Sequence, residues 1–288
     1  MNTRMKTHYR YLMTMVTMLA VLTACEHEIS FDYPSAEPQL VFDGQISNEG
    51  VTVKISRTRQ MNDSTKNHAV DNAQVWISSD GGDNERLVYD EQQHCYVSAT
   101  GLVGEPGRQY TMRATVDGHD YEATSTMMQP APIDTVFFRW MEVMNERIYF
   151  LSLRVIDAHP DERNYYWYRL MRGTEVFRWY CRSDRGSKPG FFEYDLLCSL
   201  EKDLDKDSDD NGERPLHNDD ILQLEMMTVD RTTYEFFQSL KTNVRTAANP
   251  ISNIKGGALG FFSAVNITRS VPVKFNKNEV QAQSQDGS

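Results

Sequence analysis

The chain has 288 residues, 40% hydrophobic and 25% charged, enough apolar content for one or two folded domains with a real core. Its formal net charge is −11, and because residues 1–24 carry three bases and no acid, the remainder carries −14. Such a body repels phosphate backbones and anionic lipid surfaces, which excludes nucleic-acid binding and leaves membrane attachment to something other than charge.

Residues 1–24 read as a signal peptide. Arg4, Lys6 and Arg10 form a basic start, and Tyr11 to Leu22 is an apolar run of 12 residues broken only by Thr14 and Thr17. A bilayer span needs about 20 residues, so the run is too short to cross. It closes on Leu22-Thr23-Ala24-Cys25, which resembles the bacterial lipobox. That resemblance implies a diacylglyceryl group on the Cys25 thiol, cleavage immediately before it and acylation of the new amino terminus. Two or more chains hold a protein firmly, at about 0.8 kcal/mol per buried CH₂. Glu26 and Glu28 follow at once and resemble the acidic stretch that directs some Bacteroidetes lipoproteins to the cell surface.

Residues 25–38 form a tether, with Pro34 and Pro38 discouraging regular structure. The hydrophobic period then becomes two. Val51, Val53 and Ile55 alternate with polar residues, Val75 and Ile77 flank Trp76, and Tyr110, Met112, Ala114 and Val116 alternate with polar residues again. Asp117-Gly118 before Tyr121, Ala123 and Ser125 is a hairpin signal, because both central turn residues need positive φ. These strands predict an immunoglobulin-like or transthyretin-like β-sandwich over 39–128. Gln129-Pro130-Ala131-Pro132 is the expected linker, residues 129–132. A second β-rich domain is expected over 133–275. It opens with Tyr149, Leu151, Leu153 and Val155 in alternation and continues through Tyr165–Leu170, Val176–Cys181 and Leu222–Met226. One amphipathic helix is expected in it. Thr232 and Glu235 fit a capping box, and Tyr234, Phe237, Leu240 and Val244 recur at helical spacing. Residues 276–288 are polar and read as a disordered tail. The fold class is therefore mainly β.

The chain contains no His-Glu-x-x-His, no Gly-x-Ser-x-Gly elbow and no Walker loop, so no enzyme is expected. Gly256 to Gly260 lacks phosphate-loop spacing and reads as a tight turn feeding a strand from Phe261. Nine acids fall between Glu201 and Asp220. Within that run Asp207, Asp209 and Asn211, followed by Gly212, match the first half of a calcium loop, with Asp219 or Asp220 available to close it. The twelfth position is Asn218 and Pro215 sits inside, so this is not an EF-hand; an isolated calcium loop and a solvated acidic loop both stand. No other cofactor is implied. Cys95, Cys181 and Cys198 remain after the anchor. Cys181 and Cys198 are close enough in sequence to bridge neighbouring strands in an oxidising compartment; the alternative is three reduced thiols. Tyr165, Tyr166, Trp167 and Tyr168, with Phe177, Trp179 and Tyr180, form a dense aromatic group. Alternation sends Tyr165 and Trp167 to one sheet face and Tyr166 and Tyr168 to the other. One face should be core, and the other is either core too or a platform for a ligand or protein partner.

Several stretches together resemble a Bacteroidetes lipoprotein family of unknown function whose members are often encoded beside TonB-dependent receptors. They are Glu28–Asp32 after the lipobox, Pro38–Gly44, Pro106–Tyr110 with its hairpin, Thr228–Asp230 before the helix, and the most specific, Ser252–Phe262. The resemblance implies an outer-membrane lipoprotein, on the periplasmic or cell-surface face, that serves as a binding or accessory partner of a TonB-dependent receptor in nutrient uptake. It supplies no catalytic residues. The alternative is a fimbrial-type adhesin or structural surface lipoprotein, which needs an exchangeable strand; no donor strand is evident in 276–288.

Overall fold

The computed structural model describes residues 37–59, 69–157, 160–185, 190–208, 214–243 and 248–282. Cys25, Asp209 and Asn211 lie outside them. Strands dominate, as the two-residue period predicts. Strands β1 (Leu40–Ser47) and β2 (Gly50–Arg57) form a hairpin that sends Phe42, Ile46, Val51, Val53 and Ile55 into the core. Two short strands, β5 (Val88–Asp90) and β6 (Cys95–Val97), extend its edge. Opposite lies a separate sheet of β3 (Gln74–Ser79), β4 (Asn84–Arg86), β7 (Gln109–Val116) and β8 (His119–Thr126), in the order β4-β3-β7-β8. Asp117 and Gly118 take φ of 50° and 80° in the β7–β8 turn, as the hairpin signal requires. Tyr110, Met112, Ala114 and Val116 all face the first core, which the two sheets enclose.

The second half repeats the arrangement. Strands β9 (Ile133–Val143), β10 (Glu146–Ile156) and β13 (Phe191–Leu200) form one sheet. Strands β11 (Tyr165–Arg172), β12 (Glu175–Ser183) and β14 (Ile221–Val229) form its partner. Tyr149, Leu151, Leu153 and Val155 meet Tyr166, Tyr168, Leu222, Leu224 and Met226 in a second core.

The two halves are not separate domains. Strand β15 (Leu259–Arg269) pairs in parallel with β1 over Val41–Ser47 and antiparallel with β14 over Glu225–Thr228. One sheet therefore runs β12-β11-β14-β15-β1-β2-β6-β5, and Pro38–Ser288 form one compact unit. This corrects the expected division into 39–128 and 133–275: residues 129–132 connect two sandwiches that share a sheet. Gly260 makes the junction close. Its φ of +93° suits glycine, and a Cβ there would lie 1.8 Å from the carbonyl oxygen of Phe42.

Side chains complete the hydrogen bonding of β15 where no strand reaches it. Asn253 donates Nδ2 to the Phe262 carbonyl and accepts the Phe262 amide at Oδ1. Asn48, in the β1–β2 turn, does the same for Ile267 on the other edge. The Ala264 amide donates to Ser125 Oγ, 2.8 Å away. These backbone groups, which no neighbouring strand reaches, are thus paired. Asn253 lies in the stretch most specific to the resemblance noted above, which gives that stretch a structural reason.

Helix α1 (Arg231–Asn243) covers the opposite face of the shared sheet. Met226 points into the second core, whereas its neighbour Met227 clusters with Val229, Val265, Ile267 and Tyr234 of the helix. The helix is present where expected, but its cap is Asp230, not Thr232. Asp230 Oδ1 accepts the Thr233 amide at 2.8 Å, and Oδ2 accepts Ser125 Oγ at 2.7 Å and the Thr126 amide. One carboxylate therefore ties helix, hairpin and, through Ser125, strand β15. Glu235 instead pairs with Arg231 one turn before it.

The expected disordered tail is ordered in its first part. Phe275 is fully buried against Phe138 and Tyr149, next to β16 (Val273–Lys274) on the β14 edge. Strand β17 (Gln281–Ala282) then pairs in parallel with β9. Phe275, just before the tail, and Val280 within it pack on the second core, which offsets the tail's polar composition. Among the described residues, no helix is long and apolar enough to cross a membrane.

Candidate functional site

The aromatic group resolves into three environments. Tyr166 and Tyr168 are core, 1% and 0% exposed. Tyr165 and Trp167, which alternation places on the other face, are covered by α1. Trp167 stacks on Phe237 at 4.2 Å and Tyr165 lies 4.6 Å from Tyr234. That face is therefore not an open platform. Phe177, Trp179 and Tyr180, on the edge strand β12, line a surface groove of about 540 Å³. Its size suits a small-molecule ligand.

The groove is lined by cations held on aromatic faces. Arg172 and Arg178 lie 4.3 and 4.4 Å from the Phe177 ring centre. Lys241, from the last turn of α1, lies 4.7 Å from the Trp179 ring centre and 5.0 Å from that of Tyr180. Arg182, two residues along β12 and beyond the groove's lining, stands over the same Tyr180 ring at 5.7 Å. Some of these charges are compensated. Arg172 pairs with Asp220 at 2.7 Å, and Arg214 with Glu175 at 2.8 Å. Lys241 and Arg182 have no carboxylate within ion-pair distance among the described residues. Burial pushes the Lys241 ammonium below its usual pKa, and Arg182 lowers it further. The groove is braced from below: the Tyr180 and Tyr194 hydroxyls donate to the carbonyls of Leu197 and Ser183, tying β12 to β13.

A second groove, about 400 Å³, lies on the outer face of the β3-β7-β8 sheet. Pairing aligns Trp76, Arg113 and Glu122 in one row, with Lys255 beyond. Here the charges are mutually satisfied, since Arg113 and Lys255 both bind Glu122, at 3.0 and 3.2 Å. The β12 groove is the stronger candidate because its charge is not.

Asp207 is exposed, while Asp209 and Asn211 lie outside the described residues. Asp219 and Asp220, the acids offered to close a calcium loop, pair with Lys274 and Arg172. Among the described residues, no three His, Cys, Asp or Glu side chains are grouped to hold a metal. Cys181 and Cys198 are free thiols, so of the two readings of the cysteines the structure has the reduced one and not the bridge. Cys181 faces α1 with Phe236 and Phe237, and Cys198 sits in the second core on β13. Alternation along β12 turns Cys181 away from β13. Burial pushes both thiols up to about 12.

The cations of the groove were missed in the sequence. A signal was there: alternation places Arg178 and Tyr180 of the groove, and Arg182 next to it, as cation, ring and cation on one face of β12. Lys241 had none, because its arrival depends on how α1 docks.

The fold and groove define a mainly β protein, two sandwiches on one shared sheet with a cation-lined groove at the sheet's edge. The chain belongs to the family described as domain of unknown function (DUF4249), whose model matches residues 26–270. Among curated proteins no sequence match is found.

Proposed function

We propose that the protein is a lipid-anchored component of the cell envelope, held at the outer membrane through Cys25, that serves as a binding accessory to a TonB-dependent receptor in nutrient uptake. The observation that carries this is the position of Cys25. The family segment begins at residue 26, one residue after the lipobox-like Leu22–Cys25, so the basic and apolar leader stands outside the domain. Acyl chains on Cys25 would hold a body of charge −14 that no anionic surface attracts. The β-rich body then offers a rigid frame for a small-ligand groove.

The test is crosslinking in intact cells followed by affinity purification and mass spectrometry. A TonB-dependent receptor among the crosslinked neighbours is the expected result. Recovery of no receptor, under conditions that preserve known receptor complexes, would contradict the accessory role.

A further inference from the structure

We infer that the edge of β12 is a binding site for a small anionic solute bearing carboxylate or phosphate, gripped by Lys241 and Arg182. Two like charges share the Tyr180 ring, and neither is paired with a carboxylate among the described residues, in a chain that has 41 acids to 30 bases. Acids are abundant, so two cations left without an ion pair among the described residues are a local feature rather than a matter of composition. Attraction of Lys241 to the helix C-terminus explains one cation but not the second beside it. An anion bridging the two would relieve the repulsion and add charge-assisted hydrogen bonds, bidentate from the guanidinium.

The chemistry of the edge decides between a small solute and an added peptide strand. Strand addition needs free backbone acceptors along β12. The Phe177 carbonyl already accepts Arg178 Nη1 at 2.9 Å, and the Cys181 carbonyl accepts Arg182 Nη1 at 3.1 Å and Gln238 Nε2 at 2.9 Å. Side chains block the edge, which leaves the outward cations as the recognition elements.

The site deepens the binding role proposed above, yet it is measured without a membrane or receptor, so its failure and that of the crosslinking are separate results. The experiment is calorimetric titration of the detergent-solubilised full chain with glucuronate, glucose 6-phosphate and inorganic phosphate, with glucose as the neutral control. At least one anion is expected to bind saturably, weakening as salt rises, while glucose gives no signal. Glucuronate alone marks a carboxylate site, and the two phosphates alone a phosphate site. Lys241→Ala and Arg182→Ala should each weaken binding at least about tenfold, and Arg182→Lys should restore part of it. Binding of none of the three anions at about 10 mM, or equal binding by wild type and both alanine variants, overturns the assignment.

Discussion

Replacing Gly260 with alanine puts a methyl group where the backbone of β1 already lies. The new Cβ would be 1.8, 2.7 and 2.8 Å from O, C and N of Phe42. These are main-chain atoms of a paired strand, so no rotamer change relieves the overlap, and β1 must move off β15. The φ of +93° adds strain of about 1–3 kcal/mol for any L side chain. Because Phe42 and Ile46 on β1 are fully buried, displacing the strand also opens the first core. Together these predict a loss above about 4 kcal/mol, or no folded protein. Gly257→Ala is the matched control. Its φ is +85° with nothing within 4 Å, so it reports strain alone, about 1–3 kcal/mol. Urea unfolding of both variants measures the difference. Equal losses, within about 0.5 kcal/mol, would refute the close β1–β15 junction and the single shared sheet.

Asp230→Ala removes the helix cap and the partners of Ser125 and Thr126 at once, and should cost about 2–4 kcal/mol by urea unfolding, against about 1 for an ordinary cap. For Glu85, burial raises the pKa, but hydrogen bonds from Thr100, Ser98 and Ala99 outweigh it and the net shift is downward. A depressed carboxyl contributes stability that is complete above its unfolded pKa and is lost as pH falls through the folded value. Glu85→Gln should therefore flatten the acid side of the stability–pH curve and change its shape little near neutrality; an unchanged acid limb would contradict the clamp. Native protein treated with a thiol reagent should leave Cys181 and Cys198 unmodified, and both should react once unfolded. A Cys181–Cys198 disulfide in the peptide map of native protein would contradict their placement on opposite sides of the β12–β11–β14 layer.

Local patterns were legible wherever a strand has one wet face. Val51, Val53 and Ile55, Tyr110 to Val116, and Tyr149 to Val155 all point as their alternation indicates, because a one-residue slip would expose the whole set. What was not legible is long-range. The parallel pairing of β1 with β15 joins residues near 41 to residues near 259, and no periodicity records a partner that distant. Gly260 looked like a turn glycine because close backbone approach and a turn demand the same residue. The helix itself is visible in the sequence, but not which sheet face it covers, and that is what decides between core and platform for Trp167. Thr232 and Asp230 are both good caps in the sequence, and only the tertiary contacts of Asp230 with Ser125 and Thr126 decide between them. For the groove, the β12 cations could be read on one strand, while Lys241 arrives from an element about 60 residues further on.

The anchor is the premise on which location and role both depend, and intact-mass analysis of the amino-terminal peptide from the membrane fraction tests it most directly. The expected peptide begins at Cys25 and carries the mass of a diacylglyceryl group with further acylation. A mature chain that begins elsewhere, or an unmodified Cys25 thiol in membrane-bound protein, would contradict it.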